Sequence, residues 1–422
     1  MSFKKFSRWL FSIANKADGK CVVVCGKPVY TINRYKKVNE MCLRTPIQPN
    51  KIEVNNYRGL NLYGCHPKYI LEEIFKRQLP YEIVWLLRDI EKADTSCFPP
   101  QVRLVDYQSE DAIRELAQAR LLISNAATSD FIKRGWRKKD DQFYIQTWHG
   151  SLGIKRTGRD EHGKGGADKN VGESLEDVDA RYINVLVSNS TFEDDMFRSV
   201  FRRDDDIIMK VGHARNDIFF EGEETYARIK QKVSETYGVT GKKFVLYVPT
   251  FRDDFSLDCY ALDVDRLLDA LGKRFGGEFV LLTRMHPYLK GKDKDLFRSA
   301  GQVINTTEYP DIQELLVASD VVITDYSSGF FDYMLGRRPG FVFATDLEKY
   351  NTERGFYYPI EETPFPIAEN NQQMIDNILS FDDERYQKEI DRFLVDRGCV
   401  ERGDATMRVV DLIEDVMSGR NK

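Results

Sequence analysis

Short apolar runs and amphipathic stretches alternate through nearly all of the 422 residues, and this alternation restricts the chain more than any other property. In the first half, Cys21–Cys25 reads as a buried strand followed by a polar, proline-containing segment. Tyr69–Arg77 then reads as a helix, Glu82–Leu87 and Val102–Val105 as strands, Asp111–Ala119 as a helix, and Leu121–Ser124 and Phe143–Thr147 as strands. A polar, glycine-rich stretch, Ser151–Asp179, follows and is expected to be a mobile loop beside a strand end. Alternation resumes with strands at Ile183–Ser188, Ile207–Val211, Phe244–Val248, Phe279–Arg284, Val321–Thr324 and Gly340–Phe343. Helices are expected between them at Thr191–Phe201, Thr225–Tyr237, Val264–Phe275, Ile312–Ala318 and Phe330–Leu335, and Asp383–Ser418 is helical in pattern. Strands joined through helices pair in parallel, so the expected class is α/β with doubly wound parallel sheets.

At roughly 100–200 residues per domain, this length divides into two units. The expected boundaries are residues 17–205 for the first unit, 206–400 for the second and 401–422 for a terminal helix. The 62 basic residues nearly balance 67 acidic ones, so no global field draws nucleic acid, and a polyanion must be bound locally. Seven scattered cysteines without a CxxC pair read as reduced thiols. No run approaches the ~18 apolar residues of a membrane span, and the N-terminus lacks the apolar core of a signal peptide; a cytoplasmic location is expected. Residues 1–16 place Phe3, Phe6, Leu10 and Ile13 at helical spacing among Lys4, Lys5, Arg8 and Lys16. They suit either an interfacial helix on an anionic leaflet or a helix packed on its own domain.

Ligands of such sheets bind beyond the carboxyl ends of strands, and five segments stand there: TWHG, GHARND, PTFRDD, TRMHP and TDYSSG. Thr324, Asp325, Ser327 and Ser328 offer hydroxyls and N–H groups suited to a phosphate, although one serine is explained equally by helix capping. His149, between Trp148 and Gly150, and His286, before Pro287, suit proton exchange or phosphate contact; either is also at home as a structural donor. Arg215, Asp217 and Arg252 read as surface ion pairs or, for the arginines, as a diphosphate clamp. Neither GxxxxGK[ST] nor GxGxxG occurs, which disfavours ATP-driven and NAD-dependent chemistry. Asp204–Asp206 and Asp253-Asp254 read as solvated loop acids, and no metal site is expected.

Together WHG, GHARND, PTFR, MHP, TDYSS and the segment ending Arg354-Gly355-Phe356-Tyr357 resemble the CDP-glycerol glycerophosphotransferase family of teichoic acid primases and polymerases and related capsule polymerases, over about Arg58 to Asp411. Ala214 departs from the proline usual there. The resemblance implies a GT-B architecture, in which two Rossmann-like domains face each other across a cleft and the last helix crosses back to the first domain. It implies transfer of an alditol phosphate from CDP-glycerol or CDP-ribitol to a hydroxyl of a lipid-linked or polymeric glycan, without a metal or other cofactor, at the inner face of the cell membrane. By the same resemblance His149 is the candidate general base and His286 the contact to the transferred phosphate. Arg215, Asp217, Thr250, Arg252, Thr324, Asp325, Ser327, Ser328, Arg354 and Gly355 fall on the donor side, and Trp148, Gly150 and Lys155 on the acceptor side. Two alternatives remain: a GT-B glycosyltransferase using a nucleotide sugar, and a non-catalytic polymer-binding scaffold.

Overall fold

The computed structural model describes residues 11–16, 19–25, 27–32, 36–60, 62–161, 175–203, 205–252, 256–285, 296 and 302–420. His286 and Asp253-Asp254 lie outside them, as do Phe3, Phe6 and Leu10. Sixteen strands are described: β1 Phe11–Lys16, β2 Gly19–Val24, β3 Lys27–Ile32, β4 Gln48–Asn55, β5 Glu82–Leu87, β6 Val102–Asp106, β7 Ala119–Ser124 and β8 Phe143–Gln146. The others are β9 Val185–Ser188, β10 Ile208–Lys210, β11 Lys243–Val248, β12 Phe279–Thr283, β13 Val303–Asn305, β14 Val321–Thr324, β15 Gly340–Phe343 and β16 Ile367–Ala368.

The two large sheets are parallel throughout, with orders β10-β9-β8-β7-β4-β5-β6 and β13-β12-β11-β14-β15-β16. Each winds outward in both directions from its first strand, the Rossmann arrangement, so its topological switch point lies between β4 and β7 in one half and between β11 and β14 in the other. The expected α/β class and GT-B-like architecture therefore hold. Aliphatic runs such as Glu82–Leu87 and Val321–Thr324 are buried along almost their whole length because helices cover both faces.

Several expectations change. Residues 11–16 form a strand, β1, instead of the end of an amphipathic helix, and β1 to β3 make a separate antiparallel sheet. Cys21–Val24 belongs to that sheet and its Val22–Val24 are only half-buried, so this run does not start the Rossmann unit. The first strand is instead β4, whose apolar run is interrupted by Lys51 and Glu53. Both are buried: Lys51 Nζ meets Glu115 at 2.8 Å and Glu82 at 3.2 Å, and burial raises the Glu53 carboxyl well above the usual range. Ile208–Lys210, expected to open the second unit, pairs with β9 and closes the first sheet, because Ile208 aligns with Leu186. The stretch read as loop to Asp179 is helical from Leu175 to Tyr182.

The chain returns to the first half after the helix Asp383–Asp396. Val400 N donates to Asn189 O at 2.8 Å, and the helix Ala405–Met417 lies against the helix Cys65–Lys76. Arg77 Nη1 joins them, 2.6 Å from Asp411 and 2.7 Å from Glu414. Among the described residues no helix is long and apolar enough to cross a membrane.

Candidate active site

His149 stands just beyond the carboxyl end of β8. The preceding Trp148 has φ +58°, a left-handed conformation that costs energy for a bulky residue and swings the next side chain out of the strand direction. Its indole stacks on the imidazole at 4.9 Å and is itself wedged edge-on against Phe197 and Phe201. Gly150 is required here by packing, since a Cβ would come within 2.8 Å of Trp148 Nε1. The ring of Tyr57 closes another side of the imidazole at 5.0 Å.

His149 Nδ1 lies in hydrogen-bond contact with the carbonyl of Asn125. A carbonyl can only accept, so Nδ1 carries the proton and Nε2 keeps a bare lone pair. Burial, assisted by the charges of Arg215, Lys155 and Arg58 against the pull of that carbonyl, lowers the imidazole to about 4. The ring is thus neutral at physiological pH and built as a proton acceptor.

The predicted arginine clamps are engaged elsewhere. Arg215 donates to the carbonyl of His149 at 2.9 Å and pairs with Asp332 at 2.8 Å, tying the segment after β8 in one half to the helix Gly329–Met334 of the other. Asp217 accepts from the N–H groups of Ala405 and Thr406 at 3.1 and 2.7 Å, so it caps the crossover helix. Arg252 forms a two-pronged pair with Asp346 at 2.6 and 2.9 Å, adds Asp325 at 2.9 Å and the Thr250 carbonyl, and lies against the rings of Tyr326 and Tyr350. Asp325 also accepts from Thr250 N at 2.8 Å. With two carboxylates on one guanidinium, Arg252 ties together the loops at the β11/β14 switch point. Thr324 is likewise occupied, its hydroxyl donating to Val248 O across the two strands.

What remains exposed to the cleft is smaller. Ser327 and Ser328 are half-buried beyond β14; Ser328 sits at the helix start, yet its hydroxyl makes no capping bond. Segment 151–161, expected to be mobile, runs along residues 354–358: Arg156 N donates to Gly355 O at 3.0 Å, Tyr357 N to Ile154 O at 2.8 Å, and Lys155 pairs with Phe356. Gly153 allows the approach, since its Cβ would stand 3.2 Å from Ser328 Cβ. Lys155, expected on the acceptor side, thereby lies against Phe356, in the segment that carries Arg354. Burial and then Arg354 lower its ammonium to about 8 against the pull of Asp325, and among the described residues no carboxylate pairs with it. Arg354 retains one contact, Glu161 at 3.2 Å, and its Nε is buried without a partner. Lys155, Arg354, Ser327 and Ser328 thus belong to segments that meet at residues 153–156 and 354–357. Among the described residues no three His, Cys, Asp or Glu side chains converge as metal ligands.

Sequence reasoning missed the residues that orient this site: Tyr57, Asn125, Asp332 and the pairing of Asp346. For Tyr57, Asn125 and Asp346 only their position just after strand ends could have signalled them; Asp332, inside the helix Gly329–Met334, carries no such signal.

Two Rossmann-like parallel-sheet domains, with a last helix that returns to the first, define a GT-B-like α/β protein. Residues 37–415 match the model of the CDP-glycerol:poly(glycerophosphate) glycerophosphotransferases, and the chain belongs to that family. It is 32% identical over 377 residues to a teichoic acid poly(glycerol phosphate) polymerase of Staphylococcus epidermidis, covering 87% of this chain and 51% of the relative. It is 27% identical to a teichoic acid glycerol-phosphate transferase of Staphylococcus aureus, over 90% of this chain and 99% of that one. A variant of the wall teichoic acid polymerase TagF soaked with CDPG superposes with TM-score 0.74 at 30% identity, covering 89% of this chain and 91% of that chain. The chain spans about half the length of the poly(glycerol phosphate) polymerase it matches.

Proposed function

We propose that the protein transfers glycerol phosphate from CDP-glycerol to a hydroxyl of a glycan or polyol-phosphate acceptor in teichoic acid or capsule synthesis, releasing CMP. The observation that carries this reading is a His149 whose proton is held on Nδ1, with Lys155, which has no ion-pair partner among the described residues, near enough for its charge to act on the imidazole. The acceptor hydroxyl gives its proton to His149 Nε2 as its oxygen bonds to the glycerol-bearing phosphorus; the phosphoanhydride P–O bond breaks and its electron pair leaves on CMP. Lys155, Arg354, Ser327 and Ser328 neutralise and hold the diphosphate, and such positioning and charge stabilisation are the main demands of phosphoryl transfer. His286, which sequence alone nominates, contacts the leaving or transferred phosphate. Arg252, Asp325 and Thr250 support this cradle from beneath, and Arg215 fixes the backbone of His149.

Mass spectrometry of the products formed from CDP-glycerol, CDP-ribitol and a UDP-sugar with a short glycan acceptor tests the reading. A phosphodiester-linked glycerol with one CMP per transfer is expected. A glycosidic product, ribitol transfer alone, or no CMP release with any acceptor overturns it. The reading also sets the enzyme at the inner face of the membrane; liposome flotation that is unchanged on removing residues 1–16 would eliminate that segment as the anchor.

A further inference from the structure

A cavity of about 1000 Å³ opens between the two halves, and neither His149 nor Lys155, Arg354, Ser327 or Ser328 lines it. It begins at the turn after β4, where Arg58 and Gly59 have φ of +56° and +75°, and reaches Asp311 and Glu314 of the second half. Each half contributes a pair of aromatic rings to the lining. Tyr63 and Phe98 stand 5.5 Å apart at 59°, both packed on the fully buried Trp85 at 5.6 and 5.4 Å. From the second half, Tyr237 and Tyr309 stand 6.2 Å apart at 39°, and the Tyr309 hydroxyl donates to Glu314 at 2.5 Å. Rings braced in this way hold their faces ready, so a ligand pays little ordering entropy on them.

One polar group of this lining is unmatched. Tyr63 is only 5% exposed, yet among the described residues its hydroxyl has no hydrogen-bond partner. Burial and then Glu72 push its phenol above the usual range, with Asp311 and Cys97 adding to the effect against the pull of Lys68. All four of those side chains line the cavity, so the hydroxyl lies on the cavity side of the ring. Buried hydroxyls are normally paired, and one kept open at a cavity wall marks the place of a ligand's polar atom. The side chains of Glu72 and Lys92, in the same lining, also make no hydrogen bond or ion pair among the described residues. The other cations are engaged: Lys68 with Asp311 and Glu314 at 2.8 and 2.7 Å, Lys232 with Glu314 at 2.7 Å, and Arg88 with Asp130 at 3.2 Å and the Arg58 carbonyl at 2.7 Å. Carboxylates outnumber cations in the lining, which disfavours an anion, and the open ammonium of Lys92 disfavours a cation. So many charged groups also exclude a lipid chain. What fits is a neutral molecule with apolar C–H faces for the rings and a rim of hydroxyls, each able to donate to Glu72 or to accept from Tyr63 and Lys92. A sugar ring has that construction.

We propose that this cavity binds an uncharged saccharide between the two halves, stacked on the Tyr63 and Phe98 rings and hydrogen-bonded to the Tyr63 hydroxyl. It goes beyond the transferase reading and does not depend on it. The test titrates the full chain by calorimetry, in slightly acidic buffer, with disaccharides of similar size and different charge: neutral N,N′-diacetylchitobiose, its deacetylated, cationic counterpart chitobiose, and anionic cellobiuronic acid. Saturable binding of the neutral probe is expected, about tenfold tighter than that of either charged one. Because the site takes walls from both halves, the neutral probe should also raise the unfolding temperature. Tyr63→Phe, which keeps the ring and removes only the unmatched hydroxyl, should weaken binding about fivefold, the scale of one lost hydrogen bond. Its own unfolding temperature should be no lower than that of wild type, since the hydroxyl has no partner to lose in the free protein. Glu72→Gln on the same half and Tyr237→Leu on the other should weaken binding as well, and circular dichroism checks that each variant is folded. No saturable binding of the neutral probe by wild type, tighter binding of either charged probe, or undiminished affinity in folded Tyr63→Phe overturns the proposal.

Discussion

His149 separates what a residue type offers from what its setting makes of it. A free imidazole is half-protonated near 6.5, whereas this one is held neutral down to about 4 with Nε2 open. His149→Ala should lower CMP release at least a hundredfold, the scale of lost general base catalysis, with the fold retained by circular dichroism. His286→Ala is expected to do the same by the family resemblance, and near-wild-type release by either folded variant would remove that histidine from the mechanism. The pH profile of kcat/KM should follow from the two perturbed groups. The base is competent above about 4, while Lys155 keeps its charge below about 8, so a plateau between those limits is expected. Lys155→Arg, whose charge does not titrate in this range, should extend the alkaline side upward; an alkaline limb unchanged by that substitution would exclude Lys155 as its source. Arg215 and Arg252 were recognisable as arginines at strand ends, but their partners were not: Asp346 lies 94 residues beyond Arg252. Nothing local marks such a pair.

Among the elements, β4 shows why patterning alone placed the first sheet wrongly. Lys51 and Glu53 break the apolar run, and only the approach of Glu115 and Glu82 makes burial of Lys51 tolerable. The N-terminal expectation failed for a related reason: helical spacing over sixteen residues is short, and pairing with β2 captured residues 11–16 as a strand. The turn after β4 carries a prediction of its own. Arg58→Gly should relieve left-handed strain and raise stability by about 0.5–1 kcal/mol in urea unfolding; an unchanged midpoint would mean that the turn carries no strain at this residue. Asp217 belongs to the same scale, because it acts by capping the helix Ala405–Met417. Asp217→Ala should lower stability by about 0.5–2 kcal/mol while KM for CDP-glycerol stays unchanged; a raised KM would restore it to the donor site.

Across the whole molecule the two halves are fastened by buried charge. Lys68 of the first half sits 2.8 Å from Asp311 and 2.7 Å from Glu314 of the second, with Tyr69 donating to Asp311 at 2.8 Å. Lys68→Met would leave both carboxylates without their shared cation, at a cost of about 3–5 kcal/mol. Calorimetry should then show a lower or split transition, and a single unshifted one would mean that the cluster is not the fastening. Burial opposes ionisation of Glu314, yet Lys68, Lys232 and Tyr309 together bring its carboxyl down to about 2. Because the folded value is below the unfolded one, this contribution is full above about 4.5 and is lost as pH falls toward 2. Acid unfolding should therefore be steepest in that interval, and Glu314→Gln should flatten it. The sequence by itself determined the class of fold, the position of the short motifs after strand ends and the family they define. These follow from periodicity and from residue types adjacent in the chain. Tertiary structure alone decided which halves the strands joined, which arginines were already neutralised, where His149 keeps its proton, and that Lys155 lies against Phe356. Each of those depends on a partner brought close by folding, and the charge state of a buried group is set by such partners and by the loss of water around it.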